Sequence, residues 1–282
     1  MDQATTVSKA APPPPKRKRA ARLMTVVDKQ RVTPQMMRVV LTAPSLEGYN
    51  EHSYAAHIKL MLPHPGESEP TLPILTDKGP VWPEGKKKPI VRTYTVRHLR
   101  NGELAVDFVL HADHGPACYW ALNCAPGDQV GVVGPAGPLP MIKEADYMVL
   151  AGDTSALPGI AAILEHLAED AQGHAFIEIP DESEKQALRH PQGVGITWLV
   201  RGAAAPSQSH LLYNALSALE IPAEASLQAW VAGENSVVIE LRKLLRERYG
   251  LAKPMLYAVP YWKESLNEEA YHSERHRVMD EL

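Results

Sequence analysis

The sequence predicts a two-domain protein, with an antiparallel β-barrel in the N-terminal half and a parallel-sheet α/β domain in the C-terminal half. A length of 282 residues suits two domains of ordinary size, and a hydrophobic content of 45 % is enough to give each a core. From about residue 22 to 143 short stretches alternate apolar and polar residues, which is the period of half-buried strands. After residue 144 short apolar runs alternate with helical stretches, a pattern typical of a parallel sheet covered on both faces.

The alternating stretches predict the strands of the first domain, residues 22–143. Every second residue from 104 to 110 is apolar, and Asn101-Gly102 before this run is a strong signal for a two-residue hairpin. Residues 63–89 are rich in Pro and Gly, so we expect a long irregular loop there. The predicted strands are QMMRVVLTA, HIKLML, VRTYTVRHL, ELAVDFVLH and DQVGVVG.

The second domain, residues 144–282, is predicted from strand and helix alternation. Its last helix is expected to begin at Ser265, with Glu268 completing a capping box, and to run to the C-terminus. The predicted strands are YMVLA, HAFIEI, ITWLV, LQAWVA and PMLYAV, and the predicted helices are LPGIAAILEHLAED, HLLYNALSAL and SVVIELRKLLRERYG.

Residues 1–21 are predicted to form a disordered arm. Six cations and one acid in the first 22 residues give this part a charge of +5, while the whole chain carries −4. A proline run favours extended polyproline and the clustered cations resist burial. A solvated tail without a partner is the prediction, and contact with an anionic surface is the alternative. No stretch resembles a signal peptide or a membrane span, so a cytoplasmic location is expected.

Cysteine and histidine offer few metal ligands. Two cysteines are too few for a disulfide scaffold or for the four thiolates of an iron–sulfur cluster. Neither histidine pair has a third ligand nearby in sequence, so we predict no metal site, and any electron transfer must rely on an organic cofactor. The residues considered are Cys118, Cys124, the pair His111 and His114, and the pair His272 and His276.

One predicted strand carries a cation, an aromatic ring and a hydroxyl: Arg92, Tyr94 and Thr95. On an extended strand the first two side chains project from the same face, so the guanidinium can hold a phosphate while the phenol ring lies against a flat heterocycle. Taken alone, the motif is more typical of an exposed basic strand. The turn Gly115-Pro116-Ala117 then predicts a helix with Pro at its first position, whose N-terminus suits a pyrophosphate.

Two turns at the ends of predicted parallel strands are candidates for nucleotide contact. The turn GDTS at 152–155 stands where a Rossmann domain has G-x-G-x-x-G, but its acid would repel phosphate, so a neutral part such as adenosine is expected there. Gly233 and Glu234 end another strand where a nicotinamide donor would lie, with Arg242 on the next helix for its phosphates. An ordinary strand end with a helix cap at Asn235 explains the same residues.

Six motifs occur in order between residue 22 and the C-terminus. They are RTYTVR, DFVLH followed by GPACYWA, GDQVGVVGPAG, LAGDTSALPGIAAIL, WVAGE and PYWKESLNEEAYHSERH. Together they resemble the siderophore-interacting protein family, FAD-dependent ferric-siderophore reductases of the ferredoxin-reductase-like superfamily. The resemblance implies a flavin-binding barrel joined to an NAD(P)-binding-like domain. It also implies that NADH or NADPH gives hydride to the flavin, which passes single electrons to Fe(III).

The resemblance implies roles for residues around the flavin. Arg92 would bind the FAD phosphate, Tyr94 would stack on the isoalloxazine and Thr95 would lie near its N5. Residues 153–154 would meet the adenosine end, where the family usually has Asp-Glu-Thr, and Cys118 replaces the serine of the family's GPAS motif. The implied cofactor contacts are Arg92, Thr93, Tyr94, Thr95, His111, Gly115, Ala117, Cys118, Asp153, Thr154, Ala156 and Trp262.

The substrate positions follow from the same resemblance. Lys59 and Lys263 stand where the family has cations for an anionic ferric chelate, but Ala136 replaces the arginine of the family's GPRG. Losing one cation weakens attraction for highly charged anions, so we predict a preference for less anionic siderophores. Gly233, Glu234 and Arg242 are the predicted nicotinamide contacts.

Two alternatives to this function stay open at this point. One is an NAD(P)H- or ferredoxin-linked flavin reductase with another acceptor, and the other is a non-catalytic protein that binds an iron chelate or a nucleotide. The R-x-Y-T and G-P-A motifs favour the enzyme, because together they make little sense without a phosphorylated flat cofactor. No catalytic side chain is expected, since the flavin carries the chemistry. No nucleic-acid partner is expected.

Overall fold

The computed structural model describes residues 21–76, 79–111, 115–271 and 274–275. Within these residues the N-terminal half is a β domain with one short helix. Its strands are β1 (Arg22–Thr33), β2 (Met36–Thr42), β3 (His57–Leu62), β4 (Ile74–Thr76), β5 (Gly79–Val81), β6 (Ile90–Thr95), β7 (His98–Arg100), β8 (Glu103–Val109) and β9 (Gln129–Ala136), and its helix is α1 (Pro116–Asn123).

Seven of these strands form one antiparallel sheet in the order β6-β3-β9-β1-β2-β8-β7. The sheet curls on itself, because the Tyr94 ring on the edge strand β6 lies 4.4 Å from the Phe108 ring on β8. The inward-facing residues of the curled sheet, among them Ile58, Leu60 and Leu104, form one apolar core with α1. The predicted barrel-like flavin-binding architecture is confirmed.

Three details of this domain differ from the sequence prediction. β1 was not predicted, and β4 and β5 form a small hairpin inside the 63–89 stretch expected to be irregular. The predicted strand VRTYTVRHL is two strands, because Val96 N donates to Ala56 O while Arg97 N donates to Ala105 O. The chain changes partner at this point, from β3 to β8. The Asn101-Gly102 hairpin is confirmed, with both residues at positive φ (54° and 78°).

The C-terminal half is a five-stranded parallel sheet with helices on both faces, as predicted. The strand order is β12-β11-β10-β13-β14. α2 packs on one face and α3 and α4 on the other. The elements are β10 (Tyr147–Gly152), α2 (Leu157–Leu164), β11 (Gly173–Ile179), β12 (Val194–Val200), α3 (Leu211–Ser217), β13 (Leu227–Glu234), α4 (Asn235–Tyr249) and β14 (Leu256–Trp262).

The ends of three helices differ from the prediction. α2 stops at Leu164 rather than near residue 170, and the side chain of the next residue, Glu165, accepts hydrogen bonds from two arginines of the first domain. α4 is capped by the Glu234 side chain and not by Asn235. The last helical residues begin at Glu268, not Ser265, since Asn267 Oδ1 accepts the hydrogen bond of Ala270 N.

The two domains are joined by a shared core and by polar contacts. Met36 and Tyr54 of the first domain belong to the apolar cluster around α2. Tyr54 also stacks on the His166 ring at 4.1 Å. Glu184 is 1 % exposed and accepts hydrogen bonds from Thr33 Oγ1 (2.5 Å) and Gln35 N (2.8 Å). These contacts fix the crevice between the domains.

A buried charge cluster lies behind this interface. Arg38 holds both carboxylate oxygens of Asp107, at 2.6 and 2.7 Å, and Arg97 Nε lies 3.8 Å from the same carboxylate. Arg97 and Arg100 each donate to one oxygen of Glu165, at 2.6 and 2.7 Å. The cluster therefore ties β2, the β6–β7 connection and β8 to the end of α2.

His98 lies beside this cluster and gives a testable pH dependence. Burial, followed by the charges of Arg38, Arg100 and Arg97, lowers the pKa of His98 from 6.5 to about 4. The unfolded chain therefore takes up a proton between about pH 6.5 and 4 that the folded protein refuses, so acid lowers the free energy of unfolding across this window. His98→Gln removes this penalty, and we expect it to recover about 1 kcal/mol at pH 4.5, a value reduced for solvent screening of a half-buried group.

Urea unfolding of both proteins at pH 7 and pH 4.5 measures the effect. The exposed His190→Gln is the matched control and should keep the wild-type pH dependence. An H98Q variant that loses as much stability as the wild type on acidification would contradict the assignment.

Candidate functional site

A cavity of about 760 Å³ opens between the two domains. The first domain contributes β6, β8 and the start of α1, and the second contributes the start of α2, the end of β14 and the residues after it. Its volume lies within the range of about 300–1,000 Å³ that is usual for cofactor and ligand sites. The lining residues are His57, Arg92, Thr93, Tyr94, Thr95, Asp107, Val109, His111, Gly115, Pro116, Ala117, Cys118, Ser155, Pro158, Tyr261, Trp262, Lys263, Ser265, Leu266, Asn267, Glu268 and Arg275.

β6 places a cation and an aromatic ring side by side in this cavity. Arg92 Nη1 donates to Val91 O (2.8 Å) and to Glu269 Oε1 (2.5 Å). Among the described residues its Nε and Nη2 have no hydrogen-bond partner, so that edge of the guanidinium is available to a ligand. Tyr94 rests on Phe108, and burial raises the pKa of its phenol well above the usual value, so the ring is neutral.

The N-terminus of α1 faces the same space. Gly115 caps the helix without a side-chain hydrogen bond, and Pro116 occupies the first position, as predicted. A Cβ built on Gly115 meets no atom within 4 Å, so a ligand can reach this backbone. Cys118 Sγ donates to Val109 O at 3.1 Å, which anchors the first turn to β8. First-turn amides and the helix dipole suit a bound diphosphate.

These residues fit FAD. A guanidinium edge and helix amides match its two phosphates, and the Tyr94 ring supplies a flat apolar surface for the isoalloxazine. Thr95 is buried at the end of the same strand, next to this surface. A flavin dinucleotide is thus compatible in size and chemistry with this part of the cavity.

Asp153 is fully engaged by the protein. Its Oδ1 accepts hydrogen bonds from Ser155 N (2.8 Å) and Oγ (2.5 Å), and its Oδ2 accepts from Glu234 N and Trp262 Nε1, both at 2.8 Å. The carboxylate thereby joins the ends of β10, β13 and β14. Gly233, at φ 140°, is required beside it, because a Cβ there would lie 2.7 Å from Asp153 Oδ2.

The predicted adenosine and nicotinamide contacts fall partly outside the large cavity. Ser155 lines it, whereas Thr154 does not, and Ala156 is fully buried. Glu234 is 3 % exposed and caps α4 through Ser236 N (2.7 Å). Arg242 is partly buried on α4 and lines no part of the cavity. Asp153, Gly233 and Glu234 share a separate space of about 10 Å³, the size of one water.

Residues after β14 form a wall of the cavity, in which only Lys263 is predicted from the sequence to contact a ligand. Glu268 accepts hydrogen bonds from Thr93 Oγ1 (2.7 Å) and Thr93 N (3.2 Å). Lys263 Nζ lies 2.7 Å from Glu274 Oε1. Arg275 also lines the cavity. The signal available in the sequence is the dense run of charge in KESLNEE directly after the aromatic pair, of which Lys263 is predicted to bind substrate and Glu268 to complete a helix cap.

One of the two predicted substrate cations lines the cavity, and the other lies next to a lining residue. Lys59 Nζ is 3.4 Å from Thr93 Oγ1, and Lys263 lines the cavity itself. Ala136 pairs with His57 across β3 and β9, and His57 is a lining residue. The alanine therefore stands next to a residue that lines the cavity, where the family's arginine would add a cation.

Metal ligands are not grouped in the described part of the chain, where no three His, Cys, Asp or Glu side chains lie together. His114, His272 and His276, which form half of the sequence candidates, fall outside the described residues. No helix among the described residues is long and apolar enough to cross a membrane.

Comparison with known proteins agrees with this geometry. Residues 25–139 match the model of the siderophore-interacting FAD-binding domain, and residues 145–265 match that of the siderophore-interacting protein. Ferric vibriobactin reductase ViuB of Vibrio cholerae is 44 % identical over 264 residues, covering 92 % of this chain and 96 % of the relative. An NADPH-dependent ferric-chelate reductase of Escherichia coli is 33 % identical, covering 86 % and 92 %.

Solved structures give the same result. The siderophore-interacting protein SipS from Aeromonas hydrophila superposes with a TM-score of 0.79 at 36 % identity, covering 93 % of this chain and 99 % of that one.

The fold and the cavity thus define a flavin-dependent oxidoreductase, with an FAD-binding barrel and an NAD(P)-binding-like α/β domain. The chain belongs to the siderophore-interacting protein family. The predicted fold, FAD cofactor and reductase class are confirmed.

Proposed function

We propose that this protein reduces ferric siderophores in the cytoplasm, with FAD as cofactor and NADPH as electron donor. One observation carries the proposal: the free guanidinium edge of Arg92, the Tyr94 ring and the N-terminus of α1 converge in one cavity that Lys263 and Arg275 also line. The names of the relatives, a ferric vibriobactin reductase and an NADPH-dependent ferric-chelate reductase, support the substrate class and the donor.

The role of the chain's own residues would be to bind and orient the flavin. Arg92 and the first turn of α1 would hold the diphosphate, and Tyr94, fixed against Phe108, would support the isoalloxazine with Thr95 near its N5. Trp262 would border the flavin, with its ring fixed by the hydrogen bond to Asp153. When bound, FAD would supply the redox chemistry that links a two-electron hydride donor to the one-electron reduction of Fe(III). No acid, base or nucleophile is required of the protein.

Release of iron follows from ligand chemistry. Fe(II) is held less tightly than Fe(III) by the hard oxygen donors of a siderophore, so reduction loosens the complex. The remaining task of the protein is to bring the chelate to the flavin edge, and the cations at the mouth would do this by attracting its negative charge.

Anaerobic titration tests the proposal. Protein loaded with FAD is mixed with NADPH or NADH, and then with ferric chelates in the presence of an Fe(II)-trapping dye. We expect the flavin absorbance to bleach, with NADPH the better donor, and to recover as Fe(II) appears. Protein that cannot bind FAD, or a reduced flavin that no ferric chelate reoxidises, would refute it. Recovery with oxidised ferredoxin alone would favour the alternative acceptor.

We also expect a preference for weakly charged chelates. Ala136 removes one of the three cations that the family has for its substrate, and of the two that remain, Lys59 and Lys263, the second is paired with Glu274. A mouth with little net charge attracts a tris-catecholate complex weakly, so its kcat/KM should be several-fold, roughly three- to tenfold, below that of a hydroxamate complex. Steady-state rates with the two complexes measure this, and a clear advantage for the tris-catecholate would contradict it.

A further inference from the structure

The C-terminal segment, defined as residues 263–271 and 274–275, forms the charged wall of the cavity. It is attached to the first domain by two acids. Glu268 binds the backbone and hydroxyl of Thr93, and Glu269 pairs with Arg92 at 2.5 Å. Thr93 and Arg92 are both on β6, so the segment is attached to the strand that is predicted to bind the flavin.

A second ion pair lies within the segment. Lys263 Nζ and Glu274 Oε1 are 2.7 Å apart, with side chains 36 % and 29 % exposed. Because both side chains remain in contact with solvent, the pair is weak and its partners can exchange with a ligand. Lys263 lines the cavity, so an anion in the cavity competes with Glu274 for this ammonium.

Acids compensate two of the cations that line the cavity. Arg92 is paired with Glu269, and Lys263 is paired with Glu274. Two further acids, Asp107 and Glu268, line the same cavity. A negatively charged chelate that approaches Arg92 or Lys263 therefore meets a cation whose field is already compensated.

We infer that Glu274 is a specificity-determining residue, which discriminates among ferric chelates by their charge. The inference rests on the proposed function. A highly anionic chelate must replace Glu274 at Lys263 and lie close to its carboxylate, and both requirements weaken binding. A nearly neutral chelate meets neither obstacle. The residue acts on binding and not on electron transfer, because its carboxylate is paired with Lys263 and does not line the cavity with Tyr94 and Thr95.

The size of the effect follows from Coulomb's law. A chelate of charge about −3 held about 7 Å from the carboxylate, in a wet site with a Debye length of about 8 Å, is disfavoured on the order of three- to tenfold. For a neutral complex the same calculation gives no change. The ratio of the two affinities is therefore the quantity to measure.

Glu274→Gln tests the inference, with gallium(III) in place of iron so that binding is measured without turnover. FAD-loaded protein is titrated with the gallium complexes of a tris-catecholate and of a hydroxamate siderophore, and quenching of tryptophan fluorescence is followed. We expect the Kd of the tris-catecholate complex to fall by about three- to tenfold and that of the hydroxamate complex to stay within about twofold. Glu169→Gln, an equal change of charge on the exposed surface of the second domain, should alter neither.

Two results would overturn the inference while leaving the proposed function intact. One is an E274Q variant that binds both complexes like the wild type or improves both equally. The other is a gain for the tris-catecholate that does not shrink as salt is raised, since screening must reduce an electrostatic effect. A wild-type protein that binds neither gallium complex and reduces neither ferric complex would refute the proposed function and the inference together.

Discussion

Replacing Asp107 with alanine is expected to lower the free energy of unfolding by about 3–5 kcal/mol, the cost typical of removing one partner from a buried ion pair. The Asp107 side chain is 2 % exposed, and it is the carboxylate that Arg38 grips with two hydrogen bonds. Without it, Arg38 loses the carboxylate that holds it directly, and Arg97 keeps only its ion pair with Glu165. A domain whose free energy of unfolding is about 5–15 kcal/mol would lose a large part of it.

Denaturant unfolding followed by tryptophan fluorescence measures this loss, because Trp120 packs in the same core. Asp107→Asn keeps the shape but not the charge and should fall between wild type and D107A. The matched control, Asp170→Ala, changes an exposed acid of the second domain and should stay within about 0.5 kcal/mol of wild type. A D107A protein as stable as this control would mean that the cluster contributes nothing to stability.

Replacing Arg92 with alanine is expected to raise the Kd for FAD by about 100-fold. Two charge-assisted hydrogen bonds from Nε and Nη2 to a phosphate contribute about 2.7 kcal/mol together, which corresponds to this factor. Arg92→Lys keeps the charge but loses the planar fork, so about tenfold weaker binding is expected. Equilibrium titration of FAD, followed by quenching of its fluorescence, gives the constants.

The structure supplies the controls for this experiment. Arg189 is exposed in the second domain, and Arg189→Ala should bind FAD like the wild type. Because Arg92 also pairs with Glu269, unfolding of the apo protein should be compared to show that the R92A fold persists. If the Kd of the R92A protein for FAD lay within about threefold of the wild-type value, the guanidinium would not be part of the cofactor site.

Much of the site could be predicted because its parts are local in sequence. Arg92 and Tyr94 share a face of one strand through the period-two alternation, and Gly115-Pro116 marks the start of a helix by backbone chemistry alone. The structure brings both motifs into one cavity. The motif order then carried the family resemblance, which the comparisons confirm.

Other parts could not be predicted because they depend on contacts between distant residues. Asp153 is predicted to meet the adenosine end of a ligand, and the structure adds its hydrogen bonds to the ends of two strands that follow it by about 80 and 110 positions. Glu234 is predicted as a nicotinamide contact, and the structure adds its role as the cap of the helix that follows it. Glu268 is predicted to complete a helix cap, whereas it binds Thr93 on β6, and its neighbour Glu269 pairs with Arg92 on the same strand.

The sequence by itself determined the two domain types, most of the strands and helices, and the pairing of a cation with a ring on one strand, because hydrophobic period and turn chemistry act over a few neighbouring residues. Only the tertiary structure decided which carboxylates serve the fold and which border the cavity. A carboxylate's role depends on which donors surround it, and those donors come from β6, β13, β14 and the C-terminal segment, which folding alone brings together.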